Sequence, residues 1–316
     1  MRFLFIVQGE GRGHLTQALT LEDMLQRNGH EVVEVLVGKS SSRTLPGFFN
    51  RNIKAPVKRF LSPNFLPSPD NKRANLKKSF AYNLIHLPEY VRSMCYINQR
   101  IRKTGAEVVI NFYELLTGLP YMFFRPSVPY VCIGHQYLFL HREFEFPEKD
   151  AVQLFMLRLF TRMTSLKAKK RLALSFRKMS EDRENNLVVV PPLLRQEVTA
   201  IRPEAGNYIH GYMVNAGFSD SVKAFHSVHP EVPLHFFWDK ADTAEVTRMD
   251  ETLSFHQLDD VKFLNYMAGC RAYASTAGFE SICEAMYLGK PVLMVPAHIE
   301  QDCNAYDAVR AGAGIV

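Results

Sequence analysis

The chain has 316 residues, of which 47% are hydrophobic and 22% charged, and its formal net charge is +6. Length and apolar fraction fit two domains with well-buried cores, and they exclude a disordered, collagenous or small disulfide-framed chain. The charge is uneven: from Pro191 onward there are nine Lys and Arg against sixteen Asp and Glu, net −7, and before it 29 against 16, net +13. A basic first half beside an acidic second half suggests that the first half meets an anionic surface or substrate. The five cysteines, Cys95, Cys132, Cys270, Cys283 and Cys303, are odd in number and form no C-x-x-C pair. They read as reduced thiols of a cytoplasmic protein, not as disulfides or a zinc site. Met1-Arg2 leads straight into Phe3–Val7, an apolar run too short for a secretory core, and no segment approaches the ~20 apolar residues of a spanning helix.

Phe3–Val7 has the continuous apolar pattern of a central parallel strand. Gln8-Gly9-Glu10-Gly11-Arg12-Gly13-His14-Leu15 follows. The spacing then predicts a helix over Thr16–Asn28, with Leu19, Leu21, Met24 and Leu25 on one face and Gly29 at its end, and a strand over Val32–Val37. This is a βαβ opening with its glycine loop at the carboxyl edge of the first strand. The glycines alternate, which is not the G-x-G-x-x-G spacing of a dinucleotide site. A histidine at such a helix start is open to a ligand. With an unperturbed pKa of about 6.5, His14 can take a proton from an acceptor hydroxyl near neutral pH. A histidine that merely caps the loop would look the same. Gly11 and Gly13 join His14 as candidate acceptor-side residues.

Ser40 to about Lys78 reads as irregular structure, punctuated by Pro46, Pro56, Pro63, Pro67 and Pro69, with Lys and Arg interleaved with Phe. That composition suits a solvated loop, a lipid surface or a lipid-linked acceptor, or nucleic acid, which the rest of the chain gives no reason to expect. A helix is expected over Leu84–Thr104 and a strand over Glu107–Asn111, followed by Phe112-Tyr113-Glu114. A strand over Tyr130–Ile133 ends at Gly134-His135-Gln136, where His135 is either an acceptor-site residue or a cap. Glu143-Phe144-Glu145 pairs two carboxylates, but without a preceding glycine turn, and no metal is expected. Ala151–Ser180 has eight Lys and Arg, no Asp or Glu, and a broad apolar face. It reads as a basic amphipathic helix, which either packs into the core or lies on anionic lipid, where each cation contributes roughly 1 kcal/mol.

Leu187–Val190 is a last strand, and Pro191–Arg195 is the expected linker, since a double proline cannot continue a helix. The domains are thus expected at 1–190 and 191–316. A second sheet begins at Tyr208–Val214. Its first turn, Asn215-Ala216-Gly217, is a candidate for cradling phosphate through backbone N–H groups before a helix at Phe218–Val228. Strands follow at Pro233–Trp238 and Leu253–Leu258, the latter containing Phe255-His256-Gln257.

Ala274–Ala305 carries the most chemistry. Ser275-Thr276-Ala277-Gly278 closes a strand, a helix runs from about Phe279 to Leu288, Gly289-Lys290-Pro291 stops it, and a buried strand, Val292–Pro296, opens into the loop His298-Ile299-Glu300-Gln301. A glycine turn before a helix leaves the first N–H groups free beside the positive end of the helix dipole, which suits a phosphate. Ser281 in the first turn can add a hydroxyl. Glu284, about one turn on, suits the vicinal hydroxyls of a ribose. Glu300-Gln301 emerges at the same sheet edge, where open α/β sheets bind ligands. On spacing alone an ordinary βαβ unit is equally good.

The stretch resembles the donor-binding signature of GT-B glycosyltransferases, and is similar to the UDP-glycosyltransferases and the GlcNAc transferase of lipid II synthesis. Gly278 with Glu284 six residues later, Gly289-Lys290-Pro291, Glu300-Gln301 and Asn304-Ala305 match the pattern in order and spacing, over about thirty residues. Thr276 departs from it, since many members carry His there. The resemblance implies that Ser281 and the turn hold a diphosphate, Glu284 the ribose, and Glu300 and Gln301 the donor sugar. It implies His14 as general base, Glu114 as a candidate orienter of that base, and Phe255 near the nucleobase, unless Phe255 is core. It also raises the membrane reading of the basic first half.

The expected fold is α/β, GT-B, with two Rossmann-like domains whose parallel sheets face across a cleft. The chain stops at Gly312–Val316 inside a further βα unit, short of the closing helix that the family pattern leads one to expect. The expected activity is metal-independent transfer from a nucleotide-sugar, expected to be UDP-linked, to an acceptor hydroxyl, with no cofactor beyond that co-substrate. A hydrolase or epimerase of the same fold, or a non-catalytic nucleotide-sugar or lipid-binding protein, remains an alternative.

Overall fold

A computed structural model describes residues 1–40, 45–64, 76–213, 216–238, 240 and 243–316. The chain forms two compact units that part between Leu193 and Leu194. In the first unit the elements are β1 (Arg2–Gln8), α1 (Arg12–Arg27), β2 (Glu31–Lys39), α2 (Gly47–Asn52), β3 (Val57–Leu61), α3 (Leu76–Ile85), α4 (Leu87–Lys103), β4 (Val108–Phe112), α5 (Gly118–Phe123), β5 (Tyr130–Gly134), α6 (Ala151–Thr164), β6 (Lys170–Leu174) and β7 (Leu187–Val190). The strands are all parallel, in the order β3-β2-β1-β4-β5-β6-β7. Leu4, Phe5, Ile6 and Val7 of β1 are wholly buried, as an unbroken apolar run in a central strand covered on both faces must be. Strand order reverses between β1 and β4. The loops after these two strands therefore diverge at the switch point, where an open α/β sheet makes its ligand crevice. Gly9–His14 follows β1 and Tyr113-Glu114 follows β4, so topology alone puts them side by side.

The second unit repeats the plan with α7 (Gln196–Ala200), β8 (Ile209–Tyr212), α8 (Ser219–Val228), β9 (Leu234–Trp238), β10 (Val246–Arg248), β11 (Leu253–Gln257), α9 (Asp260–Gly269), β12 (Ala272–Ser275), α10 (Phe279–Tyr287), β13 (Val292–Met294), α11 (Ile299–Arg310) and β14 (Gly314–Ile315). The order is β10-β11-β9-β8-β12-β13-β14, parallel except for the edge strand β10, which the sequence reading missed. Here the switch point lies between β8 and β12, and it gathers the turns around Gly217 and Gly278. Strand side chains alternate between faces. One face of this sheet carries the apolar cluster of Met213, Leu234, Phe236, Trp238, Leu253, Phe255 and Ala274. The other carries His210, His235 and His256 among Phe237, Phe263, Tyr266 and Tyr273.

Several sequence expectations need correction. The helix expected over Leu84–Thr104 is two helices that break at His86, because Pro88 in the first turn of α4 has no N–H to continue the preceding helix. The stretch read as irregular holds α2 and β3, anchored by the buried Phe48, Phe49 and Phe60. Ala151–Ser180 is not one helix. α6 ends at Thr164, Lys167 takes a left-handed backbone (φ 64°), and Lys170–Leu174 enters the sheet as β6. Glu300 and Gln301 lie in the first turn of α11, not in a loop, and β13 is not wholly buried, since Leu293 is exposed.

Candidate active site

The first unit builds its part of the site from the loop after β1. Gly9 N donates to Gly38 O at 2.7 Å, and a side chain on Gly9 would collide with Val37 and Gly38, so this glycine permits the close approach of β1 to β2. Gly11 caps α1 in an extended conformation with no side-chain cap, and the space a Cβ would take there is open. Gly13 lies in the first turn of α1, ahead of His14. The His14 ring is buried, stacks on Tyr113 with centroids 5.5 Å apart, and has Nε2 at 3.4 Å from Nε2 of Gln136. Tyr113 is held at φ 61°, a left-handed conformation that is costly for a bulky residue and persists only where its surroundings impose it. Its hydroxyl bonds Thr161 Oγ1 at 2.8 Å. His14 thus sits in a fixed wall of one aromatic ring and one amide.

Two expected neighbours of His14 are turned elsewhere. Glu114 is fully buried, with Oε1 accepting from Ser62 Oγ at 2.5 Å and Leu116 N at 3.1 Å, while Oε2 lies against Gly38, where any side chain would collide. Asn111 fixes this placement by accepting from Glu114 N at 2.9 Å and donating to Thr164 O at 2.7 Å. Burial raises the Glu114 carboxyl to about 7, against the hydrogen bonds from Ser62 and Leu116. The structure brings Glu114 to Ser62 and Gly38, which does not fit the expected role of orienting His14. His135 is likewise buried. Its Nδ1 pairs with Leu174 O at 2.8 Å, as a cap would, and its ring packs on Phe139 and Phe176. Its neighbour Gln136 is the residue that reaches His14. Glu143 and Glu145 are exposed on either side of buried Phe144, and no cluster of metal-ligand type occurs among the described residues.

In the second unit, β12 ends at Ser275, and Thr276-Ala277-Gly278 turns the chain into α10, with Ala277 at φ 65°. Gly278 caps α10 in an extended conformation without a side-chain cap. Ser281 Oγ donates to Gly278 O at 3.2 Å, which keeps this hydroxyl at the turn. α11 begins beside it. Gln301 Oε1 accepts from Ala297 N at 2.9 Å, its Nε2 reaches Thr276 Oγ1 at 3.5 Å, and Asn304 Nδ2 donates to Ala277 O at 3.1 Å. Two helix N-termini are therefore stitched to one turn. Asn304 Oδ1 and Ser275 Oγ are buried with no hydrogen-bond partner among the described residues. Buried polar atoms are rarely left so, and these mark where a ligand or water would bond. Glu300 joins them from the first turn of α11.

Glu284 is 4% exposed, and its Oε1 accepts from Nε of Arg195 at 2.7 Å, with NH2 of the same guanidinium in ion-pair contact at 2.7 Å. Burial raises its pKa, with Arg195 opposing. The sequence reading placed Arg195 in the linker and gave it no role. Of the turn after β8, Asn215 lies outside the described residues, while Gly217 sits in the short helical turn Ala216–Phe218, at the same sheet edge as Gly278. Phe255 is 0% exposed and stacks on Trp238 at 4.5 Å and 12° within the apolar cluster. It is core and offers no face to a nucleobase.

The family model described as glycosyl transferase family 1 matches residues 1–316. No curated protein sequence matches the chain. Among solved structures, the chain is similar to Medicago truncatula UGT71G1 complexed with UDP-glucose (TM-score 0.64, 12% identity, covering 99% of this chain and 84% of that one). It is similar also to Phytolacca americana UGT2 complexed with UDP-2fluoro-glucose and pterostilbene (0.64, 11%, 96% and 82%). A third is the glycosyltransferase SnogD from Streptomyces nogalater (0.57, 14%, 100% and 86%). At such identities the likeness establishes the fold alone, and that fold is GT-B.

Proposed function

The chain belongs to glycosyl transferase family 1, and from that premise we propose that it moves a sugar from a UDP-linked donor to an acceptor hydroxyl, with His14 as base. It is a glycosyltransferase of α/β GT-B architecture. In this reading residues 191–316 bind the donor and residues 1–190 the acceptor. The observation that carries it is the double helix N-terminus around Gly278, with Ser275 Oγ and Asn304 Oδ1 unsatisfied and a buried carboxylate, Glu284, one turn along α10. Free N–H groups and the dipole ends suit a diphosphate, Glu284 suits a ribose diol, and Glu300 and Gln301 suit sugar hydroxyls. Several structural neighbours are complexes with UDP or a UDP-sugar, which supports uracil as the base.

The reaction then follows from the parts. The acceptor hydroxyl gives its proton to the His14 imidazole as its oxygen bonds the anomeric carbon. The bond from that carbon to the diphosphate breaks, and UDP leaves with the electron pair beside α10 and α11. Direct displacement inverts the anomeric centre. The helix ends bear the leaving group's charge, so the nucleotide-sugar is the one co-substrate this scheme requires.

The acceptor in this reading is lipid-linked or part of a cell-envelope glycan, presented at an anionic membrane. The favouring observation is α6. Its large apolar residues Val152, Phe155, Met156, Leu159 and Met163 fall on one stripe and are 37–69% exposed, while Thr161 and Thr164 are what it buries. Arg162 flanks the stripe, in a half of the chain that is strongly basic. Among the described residues no helix is long and apolar enough to cross a membrane. Flotation with anionic vesicles should carry the protein, and Phe155→Ser should release it; recovery equal to that with neutral vesicles would refute the membrane reading.

Thermal unfolding with UDP, GDP and TDP and their sugars tests the donor site. Ligand at 100 times Kd stabilises by about 2.7 kcal/mol, enough to read as a shift of several degrees. UDP compounds should raise the melting temperature, and Glu284→Ala should abolish the shift. Indifference to every nucleotide would remove the donor assignment.

A further inference from the structure

Glu284 lies on a helix packed against α7, β12, β13 and α11. A carboxylate so enclosed would take up a proton unless a cation faced it. Among the described residues, the groups besides Arg195 that act on its charge are acids, Asp260 on α9 and Glu197 on α7, and Tyr273 on β12 and Cys283 on α10 feel its charge in turn. The cation is Arg195, which caps α7, is 89 residues away in the chain, and is itself largely buried, its side chain 17% exposed. Its hydrogen bond from Nε and its ion-pair contact through NH2, each at 2.7 Å, meet the same oxygen, Oε1. Oε2 accepts no hydrogen bond among the described residues.

We propose that Arg195 is a positioning residue of the donor site: it keeps Glu284 ionised and clamps Oε1, so that Oε2 is presented to the ribose hydroxyls of the nucleotide-sugar. This rests on the donor-site reading above. A guanidinium stays charged throughout the accessible pH range, so the clamp does not titrate. Without it, Glu284 becomes a buried neutral acid at neutral pH. Oε2 then carries a proton, or loses its fixed direction, and the diol loses its acceptor. Raising the pH through the elevated pKa ionises the carboxyl and restores the acceptor. The sign is definite: the variant binds worse at low pH and recovers at high pH.

Calorimetric titration of UDP from about pH 6 to about pH 9 decides this, with wild type, Arg195→Met, Arg195→Lys and the double variant Arg195→Met/Glu284→Gln. Each profile is read after removing the slope of the terminal phosphate of UDP, whose last proton leaves at about pH 6; so read, wild type should show a flat profile. Arg195→Met should bind about tenfold more weakly at neutral pH and gain affinity as pH rises, with proton release on binding. Arg195→Lys should keep a flat profile at severalfold lower affinity, since an ammonium holds charge without the planar guanidinium's clamp. The double variant should be weak and flat, because no buried acid remains to titrate. Ligand-free thermal unfolding of each variant separates these effects from loss of the fold; if Arg195→Met does not fold, Arg195→Lys decides, and undiminished affinity there overturns the clamp. Equal affinity and an equally flat profile for Arg195→Met and wild type would overturn the role of Arg195 while leaving the donor site standing. Failure of wild type to bind UDP would overturn the donor site and this role together.

Discussion

The two switch points of the molecule have the same topology and opposite chemistry. In the first unit the crevice lies between β1 and β4, in the second between β8 and β12, and each has a non-glycine residue forced to positive φ just past the second strand, Tyr113 and Ala277. Around Tyr113 stand an imidazole, an amide and a phenol, with Glu114 turned aside and raised to about 7. Around Ala277 they are two helix N-termini, a buried ion pair and unsatisfied oxygens. The fold fixes where a ligand goes, and the side chains on the diverging loops fix what it can be. A walled histidine suits proton transfer, and an anion cradle suits a leaving diphosphate.

The largest effect that would break this division is on turnover. His14→Ala should lower UDP release in the presence of acceptor by about 10²–10⁴-fold while leaving UDP affinity unchanged. Loss of both would place His14 in the donor site, and loss of neither would make the protein a binder. Next comes stability. Phe255→Ala should cost about 3–5 kcal/mol, read by urea unfolding, because it empties a core position stacked on Trp238. Weakened UDP binding at unchanged stability would restore Phe255 to the ligand.

The smallest effect is the difference in pH response. In the second unit, burial lowers His210 to about 3 and His256 to about 4, and lowers His235 as well. Their folded values lie below the unfolded value of about 6.5, so their contribution is complete above that pH and fades as pH falls. Glu114 in the first unit is the reverse. Its folded value of about 7 lies above the unfolded one, so stability is complete below about 4.5 and fades as pH rises towards 7. Acidification from about pH 7 to 5 should therefore weaken the second unit and firm the first. His256→Phe should blunt the acid loss, and Glu114→Gln should remove the opposing slope. Parallel slopes in all three proteins would show that neither buried group governs its unit.

How much of this was legible in the sequence differs between the same two regions. The donor-side turn could be read from Gly278 to Ala305 because every element there is local and its spacing is set by one βαβ unit. Phe255 misled because a period of two says that a strand has two faces but not which one meets the core. On the acceptor side the glycine loop and His14 were legible, but their partners were not. Gln136 is 122 residues from His14, and Glu114 is held by Ser62, 52 residues away, through a bond no pattern announces. Arg195 was hidden for the same reason, as a linker residue whose partner is far along the chain. Helical periodicity finds the apolar stripe of α6, but not that it faces out.

Hydrogen–deuterium exchange with and without UDP locates the donor on the molecule most directly. Protection is expected in the turn and helix over residues 275–284 and in the first turn of α11 over 297–304, with no change at the Gly9–His14 loop. Protection confined to the Gly9–His14 loop, with the second unit unchanged, would contradict the division of labour between the two units.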